Sequence, residues 1–195
     1  DFECAELVVP RDHTDPTGPE FVVPVIRLPA TDRGGRIGSL VVNPGGPGIS
    51  GVSYLRDEAA DLDALRDRYD LVSFDPRGMG SSVPAMTCLS DADIASVRNQ
   101  PSVPGSPAEE SDATEAATSM AQACTEQHGE WLPHVGTRDV ARDMDILRAE
   151  LGEERLSYLG FSYGTYLGAT YADMFPERTE RMVLDGAMDP ALDYD

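Results

Sequence analysis

Five residues, Gly160-Phe161-Ser162-Tyr163-Gly164, restrict the fold of this chain more than any other stretch. Residues 155–160 before them read as a short buried strand. Residues 163–175 after them carry helical spacing and stop at Pro176, whose ring disfavours helix in the residue before it. The chain must therefore pass from strand to helix through a very sharp turn, with a serine at its tip. Glycine on either side of Ser162 leaves space where a Cβ would clash. Gly164 and Gly168 fall on one helix face and give it a smooth surface for close contact with a sheet.

The rest of the chain supplies partners for that unit. Residues 6–10 and 20–28 are β-rich and joined through Asp15-Pro16-Thr17-Gly18, which predicts an opening antiparallel hairpin. Residues 37–43 form a strand ending in Asn43-Pro44-Gly45-Gly46-Pro47-Gly48. Val52, Leu55, Ala59 and Leu62 then share one face of a helix running to about residue 68. A strand at 69–74 leads into Asp75-Pro76-Arg77-Gly78-Met79-Gly80, where Asp75 and Arg77 are read as loop braces. Residues 84–135 differ in character. Helices are expected at 91–98 and 113–124, and the Pro-, Ser- and Glu-rich stretch 100–111 is read as a mobile surface excursion. His128 and His134 are ordinary surface or loop histidines on this reading. Thr137 is the expected N-cap of a helix with Val140, Met144, Leu147 and Leu151 on one face and Gly152 at its end. A last strand spans 181–184, before Asp185-Gly186. Strands alternating with helices predict an α/β fold with a mostly parallel sheet, an N-terminal antiparallel hairpin and flanking helices.

Composition narrows the function classes. The net charge is −20, from 35 acidic and 15 basic residues, and every base is arginine. Phosphate neutralisation needs a basic face, so nucleic acid is excluded as a partner. The acidic surface keeps the protein solvated; a sharper reading is a field that attracts cationic substrates. No apolar run approaches the 18 residues of a membrane span. Cys4, Cys88 and Cys124 show no metal-ligand spacing, and no cofactor or metal is called for. Cys88 and Cys124 bracket much of the irregular insertion. A disulfide between them would contribute about 4 kcal/mol by restricting the unfolded chain, and suits an oxidising, extracellular setting. Cys4 stays unassigned.

The loop at 43–48 offers bare backbone amides at the end of an early strand. That is what stabilises an oxygen as it gains negative charge; no Gly-Lys-Ser/Thr follows, so it is not a phosphate loop. Asn43-Pro-Gly-Gly-Pro-Gly48, Asp75-Pro-Arg-Gly-Met-Gly80, Gly160-Phe-Ser-Tyr-Gly-Thr-Tyr-Leu-Gly168 and Val183-Leu-Asp-Gly186 together resemble the α/β-hydrolase superfamily. More narrowly they resemble the secreted serine exopeptidases of the proline iminopeptidase and tripeptidyl aminopeptidase group, whose actinobacterial members are lysine-poor. The resemblance implies that Ser162 is the nucleophile and that the amides of Gly46 and Tyr163 form the oxyanion hole, with Gly45 the next candidate. The implied reaction is release of tripeptides or single residues from peptide N-termini through an acyl-enzyme. A secreted esterase and a non-catalytic hydrolase-like binding module are the alternatives.

One departure matters. In such hydrolases the order is serine, acid, histidine. Here His13, His128 and His134 all precede Ser162. Asp185 is a candidate acid, although members of the group place theirs later. The expectation is therefore that residues 1–195 are the N-terminal part of the core of a longer enzyme. Its cap, its remaining strands, and its catalytic acid and histidine would lie in further polypeptide, absent or present as a second chain.

Overall fold

A computed structural model describes residues 1–99, 101 and 103–191. It divides the chain into two units, residues 1–85 with 135–195, and residues 86–134.

The first unit holds a six-stranded sheet in the order β1-β2-β4-β3-β5-β6. Its strands are β1 (Glu3–Pro10), β2 (Glu20–Leu28), β3 (Gly38–Asn43), β4 (Tyr69–Phe74), β5 (Leu156–Phe161) and β6 (Thr179–Asp185). β1 and β2 form the antiparallel hairpin, and β2 runs antiparallel to β4. The pairs β3–β4, β3–β5 and β5–β6 are parallel. β3 is bonded on both sides and buried throughout, which is why Leu40-Val41-Val42 reads as an unbroken apolar run rather than an alternating one.

Helices cover both faces. α1 (Gly51–Glu58) packs on β2, β3 and β4, and is continued by a 3₁₀ turn and the short α2 (Asp63–Arg66). Leu55 and Leu62 bury there against Ile26, Leu28, Leu40, Val42, Leu71 and Leu159. Successive strand residues face opposite ways, so Val41, Val72 and Tyr158 point to the other face. On that side α5 (Thr137–Glu150) packs on α6 (Tyr163–Met174), and α6 packs on β5 and β6. The expected single helix to residue 68 is thus broken into three pieces. Thr137 is the first helical residue of α5, and Gly136 takes the cap position with no side-chain bond. The Thr137 hydroxyl lies 2.8 Å from the Tyr163 phenol instead.

The second unit contains α3 (Asp91–Arg98) and α4 (Pro107–His128). Ser90 and Asp93 close a reciprocal capping box on α3. α4 begins inside the stretch read as a mobile excursion. Ser106 caps it, Pro107 fits the first turn where no amide partner is needed, and Glu109 and Glu110 favour the dipole. Those are start signals that a compositional reading takes for disorder. Gln100 and Ser102 of that stretch lie outside the described residues, as do residues 192–195. Cys88 and Cys124 form a disulfide, and Gln127 Nε2 donates to the Cys88 carbonyl at 3.0 Å. Cys4 is a free, exposed thiol on β1.

A buried cation ties the first unit together away from the helix–sheet contacts. The Arg77 side chain is fully buried. Its Nε donates to Asp143 Oδ2 of α5 at 2.7 Å, and a second nitrogen meets Asp143 Oδ1. It also donates to the carbonyls of Arg11 at 2.9 Å and Pro10 at 3.1 Å, meets His13 Nε2 at 2.7 Å, and stacks on Phe21. One guanidinium therefore joins the loop after β4, the β1–β2 connection and α5. Asp75 braces in the same way: its Oδ1 accepts from Ser50 Oγ at 2.7 Å and the Val52 amide at 3.1 Å, and its Oδ2 from the Ser81 amide at 2.8 Å.

Removing one member of a buried pair leaves the other charge without compensation, at about 3–5 kcal/mol. Denaturant unfolding is expected to place Arg77→Met and Asp143→Leu each about 3–5 kcal/mol below the parent. The double variant should lose less than the sum of the two. Additive losses would show that the two side chains act independently.

Candidate active site

The strand order changes direction at β3. The chain goes from β3 to β4 on one side, then returns to place β5 on the other. In such sheets ligands bind beyond the carboxyl ends of the strands at this switch point. Here those ends carry the two glycine-bearing segments. Asn43 pairs with Gly160, so the loop after β3 and the turn after β5 leave the sheet side by side.

Ser162 has φ 52° and ψ −122°, the only positive φ outside glycine among the described residues. That conformation is ordinarily left to glycine and costs on the order of 1–3 kcal/mol. It is held from both sides. The Ser162 amide donates to the Asp185 carbonyl at 2.9 Å, and its carbonyl accepts from the Thr165 amide at 2.8 Å. The side chain is exposed at the head of α6, and its Oγ makes no hydrogen bond to any described residue.

The glycines are placed by close approach. A Cβ on Gly160 would lie 2.4 Å from the Gly164 carbonyl oxygen, and one on Gly164 would lie 2.8 Å from both oxygens of Asn43. The Tyr158 phenol runs under the turn and donates to the Gly164 carbonyl at 2.8 Å. Burial pushes its pKa well above the ordinary phenol value, with the nearby Tyr163 phenol a smaller cause, so it stays a proton donor.

The β3 loop lies against this turn. A Cβ on Gly45 would fall 2.4 Å from the Phe161 carbonyl oxygen and 3.2 Å from both Ser162 Cβ and the Tyr163 nitrogen. The Gly45 amide is committed to the Asn43 side chain at 2.9 Å. Of the two glycine amides, then, only that of Gly46, at φ 112°, has no such tie. The arrangement can present an exposed hydroxyl beside backbone donors from two loops.

His13 is engaged by Arg77 and lies 3.2 Å from Asp143 Oδ1. His128 belongs to the second unit, where its ring packs on Trp131 and Nε2 lies 3.1 Å from the Thr87 carbonyl. Asp185 contributes its backbone carbonyl to the turn while the residue itself is exposed. Asn43 is the residue that sequence reading passed over. Its signal is Asn at the end of a buried strand, two residues before a glycine whose amide it can take.

Residues 38–195 match the family described as alpha/beta hydrolase fold. The chain is 45% identical over 192 residues to the serine protease Hip1 of Mycobacterium tuberculosis, covering 97% of this chain and 36% of that protein. It is 40% identical over 196 residues to a tripeptidyl aminopeptidase of Streptomyces lividans, covering 98% and 36%. It is 46% identical over 193 residues to a carboxylesterase B of Mycobacterium tuberculosis, covering 97% and 36%. The chain thus spans about a third of the length of these relatives. A crystal structure of a probable hydrolytic enzyme from Pseudomonas aeruginosa superposes with a TM-score of 0.53 at 17% identity, over 93% of this chain and 40% of that one, which speaks for the fold alone. By the family match over most of its length and by the strand order around Ser162, the chain belongs to the alpha/beta hydrolase fold family.

Proposed function

We propose that this chain carries the nucleophile and oxyanion hole of a secreted serine hydrolase that cleaves peptides near their N-termini. The observation that carries the reading is the backbone of Ser162, held at φ 52° beside the Gly45–Gly46 loop. A fold does not store such strain at an exposed serine without gain elsewhere. In the reaction Ser162 Oγ attacks the scissile carbonyl and passes its proton to a base. The carbonyl oxygen gains the charge and accepts hydrogen bonds from the amides of Gly46 and Tyr163. The amine departs with the proton, and water releases the acyl group.

The base and its acid come from polypeptide outside these 195 residues. Two facts support this: His13 is committed to the Arg77–Asp143 pair, and the relatives are about three times as long. Peptide as substrate is supported by the relatives named serine protease and tripeptidyl aminopeptidase. The carboxylesterase relative at 46% identity supports a second reading, in which esters are the substrates. Export is supported by the Cys88–Cys124 disulfide.

Ser162→Ala in the whole protein is expected to abolish labelling by a fluorophosphonate and to lower kcat by on the order of 10⁶-fold. Labelling unchanged in the variant would overturn the assignment by placing the reactive nucleophile elsewhere, and failure of the parent protein to label would leave a non-catalytic binding module. Tripeptidyl and aminoacyl amides should be turned over along with short acyl esters; turnover of esters alone would establish the second reading. Residues 1–195 by themselves are expected to hydrolyse neither, and addition of the remaining polypeptide in trans to restore activity. An active 1–195 would place the base within this chain.

A further inference from the structure

Thr165 stands one turn into α6, 1% exposed, with its hydroxyl between two backbone groups. Its Oγ1 donates to the Ser162 carbonyl at 2.6 Å and accepts from the Met188 amide at 2.9 Å. Its own amide donates to the same Ser162 carbonyl at 2.8 Å. Four other helical threonines are simpler: Thr114, Thr118, Thr125 and Thr170 donate back to the carbonyl four residues earlier, the common helical habit. Thr165 instead reaches three residues back, to the strained serine, and takes a backbone donor from the segment after β6.

We propose that Thr165 is a positioning residue that aims the Tyr163 amide and latches the Gly186–Met188 segment to the nucleophile turn. The argument is geometric. A trans peptide is planar, with its C=O and N–H pointing in opposite directions. The Ser162 carbonyl and the Tyr163 amide belong to one such plane. Two donors on the carbonyl fix the plane, and with it the direction in which the Tyr163 N–H points. The other end of Ser162 is fixed by the Asp185 carbonyl, from the same exit of β6. A hydroxyl is suited to the post because it donates and accepts at once. Valine has the same shape and can do neither. The inference rests on Ser162 being the nucleophile, and extends that reading to the device that orients its oxyanion donor.

The test uses the whole protein with Thr165→Val and Thr165→Ser, and Thr165→Ala should the valine variant not fold. Steady-state kinetics on the best amide are read beside hydrogen exchange of the Met188 amide. Thr165→Val should lower kcat by roughly 10- to 100-fold, less than loss of a whole oxyanion donor, with KM little changed. Thr165→Ser should stay close to the parent. Exchange at Met188 should speed up with valine and not with serine. Wild-type kcat in the valine variant, or equal losses with valine and serine, would overturn the proposal, the second because the methyl group and not the hydroxyl would then matter. Ser162→Ala is run in parallel. If it still labels with the fluorophosphonate, the nucleophile assignment fails, and the exchange data still decide whether the latch exists.

Discussion

The contact on which the site depends is the approach of two backbones, the end of β3 and the turn after β5, to within the distance that only glycine allows. Gly45 lies against Phe161 and Ser162, and Gly164 against Asn43, with no space for a Cβ at either position. Parallel pairing of β3 with β5 brings the two segments side by side. The absence of side chains lets them close to van der Waals contact. The positive φ of Ser162 follows, because the chain must reverse into α6 without leaving that contact. A larger side chain at either of these positions would push the loop after β3 away from the turn that carries Ser162.

That closeness needs support from behind, and much of it is polar. Arg77 and Asp143 form a buried ion pair whose remaining donors are taken by backbone carbonyls and His13. Asp75 does the same for the loop that follows β4 and for the start of α1. In each case a charge inside the protein is acceptable because nearly all its hydrogen-bonding capacity is used. Such groups fix geometry more than they add stability. They join the loops that leave the sheet to the elements packed beside them.

The second unit follows another logic. Its 22-residue α4 has no buried residue among those described, and helix propensity, capping and a disulfide account for its order. A covalent link closing 36 residues of sequence separation restricts the unfolded chain, where an apolar core would have to be built residue by residue.

The sequence by itself determined the strands, most of the helices and the sharp strand-to-helix turn with Ser162 at its tip. Those depend on local chemistry: apolar runs for β2, β3 and β4, Gly152 at the end of α5, and Gly-x-Ser-x-Gly between strand and helix. It failed where a local signal had two readings. The Pro-, Ser- and Glu-rich start of α4 reads as a mobile excursion, and Thr137 reads as a cap, whereas Gly136 holds the cap position and the Thr137 hydroxyl has a partner 26 positions away. Tertiary structure alone decided that Asn43 would tie down Gly45 and leave Gly46, that Arg77 would meet Asp143, that His13 would be occupied by them, and that Thr165 would join Ser162 to Met188. Each is a hydrogen bond whose distance depends on sheet order. A pattern of residue types records which groups could bond, and only the packed sheet brings the donor and acceptor to within 3 Å of each other.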